Sequence, residues 1–116
     1  MSEILKDLYE IVERRKAERE EGSYTVYLFD SGLDKILKKL GEETAETIIA
    51  AKNLQEATGT ASGKEGDARG RREDLKGEVG DLLYHLVVML NELGVRPEEV
   101  EELLRERMKI TGNLKR

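Results

Sequence analysis

The chain of 116 residues is long enough for one domain, residues 1–116, with a modest core, and its 39% charged, 4% aromatic composition with a single Pro suits helices better than a β-sandwich or barrel. Its formal net charge of −5 argues against a general nucleic-acid binder, because neutralising phosphates needs a basic face. Without cysteine there is no disulfide and no thiolate metal site, and without a leader-like segment or a long apolar run the expected setting is the cytoplasm, with no membrane partner.

The first predicted helix covers residues 2–20, where Ile4, Leu5, Leu8, Ile11 and Val12 recur at helical spacing. The Arg14, Arg15, Lys16 run near its end reads as a solvated basic face, with substrate binding as the alternative. Residues 22–32 break the pattern and hold Tyr24, Tyr27 and Phe29. A lone strand over residues 26–29 would have no partner, so an ordered, extended connector is expected.

A second helix is predicted over residues 31–56, with Ser31 as its N-cap. Leu33, Ile36, Leu37, Leu40, Thr44, Ile48 and Ala51 fall on one face, with Glu43 at its margin and Glu42, roughly 100° away, turned more toward solvent. Gly41 inside this helix costs about 1 kcal/mol relative to Ala, which points to close packing or ligand access. Residues 58–72 are rich in Gly, Ser, Thr and charge without apolar periodicity, and read as a loop. The third helix, 73–93, is apolar nearly all round over 82–90 and is the expected central helix. Gly94 ends it. A fourth helix opens at Pro97 with an acidic first turn and buries Val100, Leu103, Leu104 and Met108, and the residues from about 111 read as a frayed tail.

Two acidic pairs stand out, Glu43 with Glu46 and Glu78 with Asp81. Residues three apart on a helix lie roughly 60° around the axis, so each pair can aim two carboxylates at one point, and two such helices could gather four. So much negative charge needs a cation, and hard oxygen ligands suit Mg²⁺ or Mn²⁺. The alternative is chance, since 25 acidic residues in 116 place such spacings on many solvated faces. Apolar faces on every helix also exceed what four helices can cover alone, which predicts a homodimer whose chains share a bundle.

The residues also carry a resemblance. Ser23-Tyr24-Thr25, the stretch 38–46 with Glu42, Glu43 and Glu46, Ala50-Ala51-Lys52, and Glu78 through Asp81 to Tyr84-His85 occur in the order found in phosphoribosyl-ATP pyrophosphatases, within the wider MazG-type nucleotide pyrophosphatases. The resemblance implies an all-α, four-to-five-helix MazG-like bundle that hydrolyses phosphoribosyl-ATP to phosphoribosyl-AMP and pyrophosphate, the second step of histidine biosynthesis, with Mg²⁺. It implies Glu43, Glu46, Glu78 and Asp81 as metal ligands, Glu42 as an outer ligand or base, and Ser23, Tyr24 and Thr25 as candidate substrate contacts. Lys35, Lys38, Lys39 and Lys52 are the candidate phosphate-binding cations for such a substrate, Lys39 first because it lies one helical turn from Glu43. Two departures are the long 58–72 stretch and Val79-Gly80 between the acidic ligands. His85 reads as a structural hydrogen-bonding residue ahead of a metal ligand, and the Glu-x-x-His spacing of di-iron bundles is missing. The rival activities are a house-cleaning pyrophosphatase of free nucleoside triphosphates and a non-enzymatic helical interaction module.

Overall fold

The computed structural model describes residues 2–59 and 65–110, and all five elements among them are helices: α1 (Ser2–Glu18), α2 (Tyr24–Ser31), α3 (Leu33–Gly59), α4 (Glu65–Leu93) and α5 (Pro97–Ile110). The frame is α3 with α4, of 27 and 29 residues and each about 40 Å long at 1.5 Å per residue. Thr47 of α3 bonds the Glu78 carbonyl of α4, while Asn53 and Asp74 line one surface depression, so the two helices run antiparallel. Around this hairpin, α1 packs on α4, α5 and α2, and α2 packs on α3.

The core sits at one end of the hairpin. Tyr9 and Val12 of α1, Leu28 of α2, Ile36 of α3 and Val87 and Val88 of α4 are buried together. Burying such side chains is worth roughly 1.5–3 kcal/mol each, and it fixes the α3–α4 register two turns before the acidic residues of α3. At the far end of α4, Gly94 adopts φ 73° and Val95 N–H reaches back to the Leu90 carbonyl at 2.9 Å, a left-handed helix stop that Gly accommodates without strain. The start of α5 is capped by Glu99, whose carboxylate accepts from the Arg96 backbone N–H at 2.8 Å.

Several sequence expectations are corrected. The connector expected to be extended over 22–32 contains the helix α2. Ser23 caps it, its Oγ accepting from Val26 N–H at 3.3 Å, and fully buried Leu28 anchors it to the core. Ser31 therefore does not cap α3. It closes α2, its hydroxyl donating to the Tyr27 carbonyl at 2.7 Å, and Gly32 at φ 95° makes the turn into α3. The first helix stops at Glu18 because Arg19 adopts φ 55°. Of the loop expected over 58–72, residues 58–59 end α3 and 65–72 open α4, while 60–64 lie outside the described residues. The tail expected from 111 also lies outside them.

The apolar face expected for α3 divides in two. Ile36 and Ala50 are buried and Glu43 and Thr47 half-buried, whereas Leu37, Thr44, Ile48 and Ala51, one position on, are exposed. A side chain built at Gly41 would meet open space, so packing within the chain is not what Gly41 serves. The radius of gyration is 17.1 Å and the extents 51 × 44 × 24 Å, against about 13 Å for a compact domain of this length. The chain is thus spread around its hairpin, with Ile48, Ile49 and Met108 each more than half exposed.

Leu28→Ala should lower stability by about 3 kcal/mol, because it opens a cavity at a fully buried position and unpins α2. Equilibrium urea unfolding measures this directly, and a loss below about 1 kcal/mol would show that α2 is not anchored there.

Candidate active site

Helical spacing turns Glu43 and Glu46 of α3 toward α4, and antiparallel packing brings Glu78 opposite them. Each of the three offers one carboxylate oxygen, and these atoms all lie within 4.8 Å of one another. Thr47 holds the seam. Its hydroxyl lies 2.8 Å from the Glu43 carbonyl and 3.3 Å from the Glu78 carbonyl, tying the two acidic turns together. Asp81, one turn further along α4, falls outside the 4.8 Å cluster but close enough for its charge to act on both Glu43 and Glu78.

The electrostatics are those of crowded like charges. The Glu43 carboxyl is pushed above the usual carboxylate range by burial first and by Glu46 second, with Asp81 adding to it and His85 opposing it. Glu78 is pushed the same way, first by hydrogen bonding with Glu46, then by its partial burial and the neighbouring negative charges. One oxygen of each, Glu43 Oε2 and Glu78 Oε2, is shielded from solvent without a hydrogen-bond partner. An unpartnered, charge-bearing oxygen beside other carboxylates is unfavourable alone and favourable around a hard divalent cation, so the donor set fits Mg²⁺ or Mn²⁺.

The predicted cations are distributed unevenly. Lys39, one turn before Glu43, pairs with Glu42 at 3.2 Å, and its ammonium is held above the usual lysine range by that hydrogen bond and by the Glu42 charge. Glu42 is therefore turned to Lys39. Lys35 lies one turn before Lys39, its Nζ 5.9 Å from the centre of the Tyr27 ring. Lys38 is exposed on the flank of this row. Lys52 bonds Gln55 at 2.8 Å and, nine residues from Glu43, projects from the opposite side of α3. The structure thus brings Lys35 and Lys39 to the cluster side of α3 and leaves Lys52 away from it.

The segment 23–25 divides between architecture and site. Ser23 caps α2, and Thr25 is buried with its Oγ1 2.5 Å from Tyr84 Oη. Tyr24 is 42% exposed, beside Lys39 and Glu43, and its hydroxyl lies 2.8 Å from His85 Nε2. Of the basic run in α1, Lys16 is structural: its ammonium lies 4.7 Å over the Phe29 ring and donates to Asn91 Oδ1 at 3.3 Å. The charge of Arg15 acts on the Tyr84 hydroxyl. Sequence reasoning missed Thr47 and Tyr27. Thr47 could have been found by counting one turn on from Glu43; Tyr27 became visible only once α2 was helical, which places it one turn from Tyr24 with ring centres 6.0 Å apart.

The phosphoribosyl-ATP pyrophosphohydrolase family matches residues 5–108. Curated relatives named phosphoribosyl-ATP pyrophosphatase include that of Streptococcus thermophilus, 45% identical over 111 residues that cover 96% of this chain and 91% of the relative. That of Limosilactobacillus fermentum is 47% identical over 111 residues, covering 96% and 90%, and that of Pelotomaculum thermopropionicum 45% over 108 residues, covering 92% and 94%.

Glu43 and Glu78 bind protons more readily folded than unfolded, so their contribution to stability is greatest at acid pH and is lost as pH rises through their raised folded values. At pH 7 without divalent cations, Glu43→Gln and Glu78→Gln should therefore melt at higher temperature than wild type, while millimolar Mg²⁺ should stabilise wild type and leave both variants unmoved. Thermal melts with Mg²⁺ and with chelator decide it; equal responses would mean that the acidic cluster binds no metal.

Proposed function

This chain belongs to the phosphoribosyl-ATP pyrophosphohydrolase family, and on that footing we propose that it hydrolyses phosphoribosyl-ATP to phosphoribosyl-AMP and pyrophosphate, as a phosphoric-anhydride hydrolase of histidine biosynthesis acting in the cytoplasm. The observation that carries the reading is the convergence of Glu43, Glu46 and Glu78 on one point, within a match that spans residues 5–108. Glu43, Glu46 and Glu78, with Asp81 beside them, would hold Mg²⁺ or Mn²⁺, which when bound supplies neutralisation of the triphosphate and acidifies a coordinated water.

What the chain itself contributes is positioning. Water attacks the α–β phosphoanhydride, the bridging P–O bond breaks as the new P–O bond forms, pyrophosphate leaves with the bonding electrons, and the proton of the water passes to solvent. Lys39 and Lys35, in a row leading to Glu43, meet the phosphate oxygens, and Lys38 extends that row at the surface. Glu42 keeps Lys39 charged and oriented before substrate arrives. Thr47 keeps the two acidic turns in register, so that the carboxylates do not separate under their own repulsion. Tyr24, at the edge of the cluster, contacts the part of the substrate next to the phosphates, while Ser23 and Thr25 hold the α2 turn that carries it.

We infer further that the working unit is a homodimer. The 17.1 Å radius of gyration and the exposed Ile48, Ile49, Val100, Leu103 and Met108 leave more apolar surface open than a lone chain of this size usually shows. Among the described residues no helix is long and apolar enough to cross a membrane, so a protein partner accounts for these faces better than a bilayer.

Pyrophosphate release should be seen with phosphoribosyl-ATP and Mg²⁺, should stop with chelator, and should be weak with ATP and deoxynucleoside triphosphates. Equal release from the free triphosphates would favour the house-cleaning enzyme, and no release would favour an interaction module. In the same assay Lys39→Ala should raise KM by about tenfold, the worth of one charge-assisted contact; an unchanged KM would remove Lys39 from the site. Analytical ultracentrifugation at micromolar concentration should show a dimer or larger assembly, and a monomer would overturn the oligomeric inference.

A further inference from the structure

Tyr27 takes no part in the phosphate chemistry described above, yet its ring is open to solvent beside it. The chain holds four Tyr and one Phe. Among the described residues the exposed aromatic side chains are Tyr24 and Tyr27, at 42% and 47%, whereas Tyr9 is buried and Phe29 and Tyr84 pack against the core. The two exposed rings lie one turn apart on α2, stacked with their centres 6.0 Å and their planes 30° apart.

Charge differs on the two sides of this pair. Toward α3 are lysines: Lys35 Nζ lies 5.9 Å from the centre of the Tyr27 ring, and the Lys39 ammonium interacts with both phenols. At the α1–α2 turn both rings line an open depression of about 690 Å³, together with Arg19, Glu20, Glu21 and Asp30. Arg19 is held there on a strained backbone, φ 55°, and its Nη2 donates to both Asp30 carboxylate oxygens, at 2.8 and 2.9 Å. With Arg19 matched by Asp30, Glu20 and Glu21 leave this side negative.

Resting on the functional reading above, we propose that the Tyr24–Tyr27 pair is the stacking surface for the nucleobase, with Tyr27 its main contact: the triphosphate lies on the lysine side and the purine crosses the rings into the depression. Phosphates are repelled by Glu20 and Glu21 and drawn to Lys35 and Lys39, so the anionic end of a nucleotide has one direction to take. The flat, weakly polar base is the part that gains from aromatic faces, and tyrosine rings and guanidinium planes are the side chains on which bases stack. The carboxylates around the depression accept from the N–H groups of a base, which phosphates do not offer. Tyr24 sits beside Glu43 and Tyr27 one turn further along α2, an order that matches phosphate, ribose and base along the substrate. Because the depression opens to solvent, the phosphoribosyl group carried on the base has room to leave it.

The test is equilibrium binding by calorimetry, with Mg²⁺, of two probes: the α,β-methylene analogue of phosphoribosyl-ATP, whose α–β bridge cannot be hydrolysed, and inorganic tripolyphosphate, which lacks ribose and base. Tyr27→Leu should weaken the analogue about tenfold, the worth of one base–aromatic stack. Tyr27→Phe keeps the ring and should stay within about twofold of wild type, and Tyr27→Trp should bind at least as tightly as wild type. Tripolyphosphate should bind wild type and all three variants within about twofold, since it reaches only the lysine side. The chain has no Trp, so Tyr27→Trp also introduces a lone indole, whose fluorescence the analogue should quench and tripolyphosphate should not.

Wild-type affinity of Tyr27→Leu for the analogue, an equal loss for tripolyphosphate, or an indole that the analogue leaves unquenched would each overturn the inference; the second would mean that Tyr27 only places Lys35 and Lys39. Should Tyr27→Leu fail to fold, Tyr27→Phe and the quenching of Tyr27→Trp still decide it. Pyrophosphate release from phosphoribosyl-ATP is measured alongside. Base-dependent binding at Tyr27 without release by wild type would overturn the hydrolytic reading alone, and release without base-dependent binding at Tyr27 would overturn this inference alone.

Discussion

The repulsion among carboxylates gathered on the α3–α4 seam is the constraint around which the rest of the molecule is arranged. Glu43, Glu46 and Glu78 lie within 4.8 Å of one another with Asp81 close by, and two of their oxygens are buried without partners. Such an arrangement opposes folding unless other contacts hold it. The restraint comes from both sides of the cluster. The core around Leu28, Ile36 and Val88 closes one end of the hairpin, and the Thr47 hydroxyl bridges the acidic turns themselves. A hard divalent cation would be the natural counterweight, because the like-charge repulsion that opposes folding is what such an ion would relieve.

The short helix α2 couples core to chemistry. Eight residues rich in β-branched and aromatic side chains would not be helical in isolation, because nucleation costs more than so few backbone bonds return. What makes it helical is Leu28 in the core, Thr25 on Tyr84 and the Ser23 cap. The same turn that buries Leu28 and Thr25 places Tyr24 within reach of the Glu43 and Lys39 charges and bonds it to His85. A loose α2 would therefore cost stability and the placement of Tyr24 together.

Which features could be read beforehand follows from the range of the forces involved. The acidic pairs and the apolar run of α4 are local, periodic signals, and a periodicity of 3.6 reports them faithfully. The helical state of α2 is set by tertiary contacts sixty residues away in sequence, at Tyr84 and His85, so its aromatic and β-branched residues read as a connector. Residues 65–72 have no apolar stripe and contain Gly66 and Gly70, so nothing local announced that α4 begins at Glu65. The α3 face was visible but its division was not: Ile36 and Leu37 are both apolar, and only the placement of α4 decides that one is buried and the other exposed. The site was legible where it depends on spacing, at Glu43, Glu46 and Glu78, and illegible where it depends on packing, at Thr47, Tyr27 and the Tyr24–His85 bond.

This division also separates affinity from selectivity. A cluster of carboxylates with a lysine row would suit a cation-bound polyphosphate, and every nucleoside triphosphate supplies one. Discrimination has to come from groups that meet the substrate beyond its phosphates and lose a partner when the wrong molecule binds. Beyond the cluster, α2 carries Tyr24 and Tyr27, two half-exposed rings on one face, the first hydrogen-bonded to a buried imidazole. Buried hydrogen-bonded groups are costly to leave unpaired, which makes them better discriminators than charges exposed to water. Hence the groups that only tertiary structure reveals, α2 and the Tyr-His pair beneath it, are tied by long-range hydrogen bonds, while the carboxylates visible from spacing alone form the like-charge cluster.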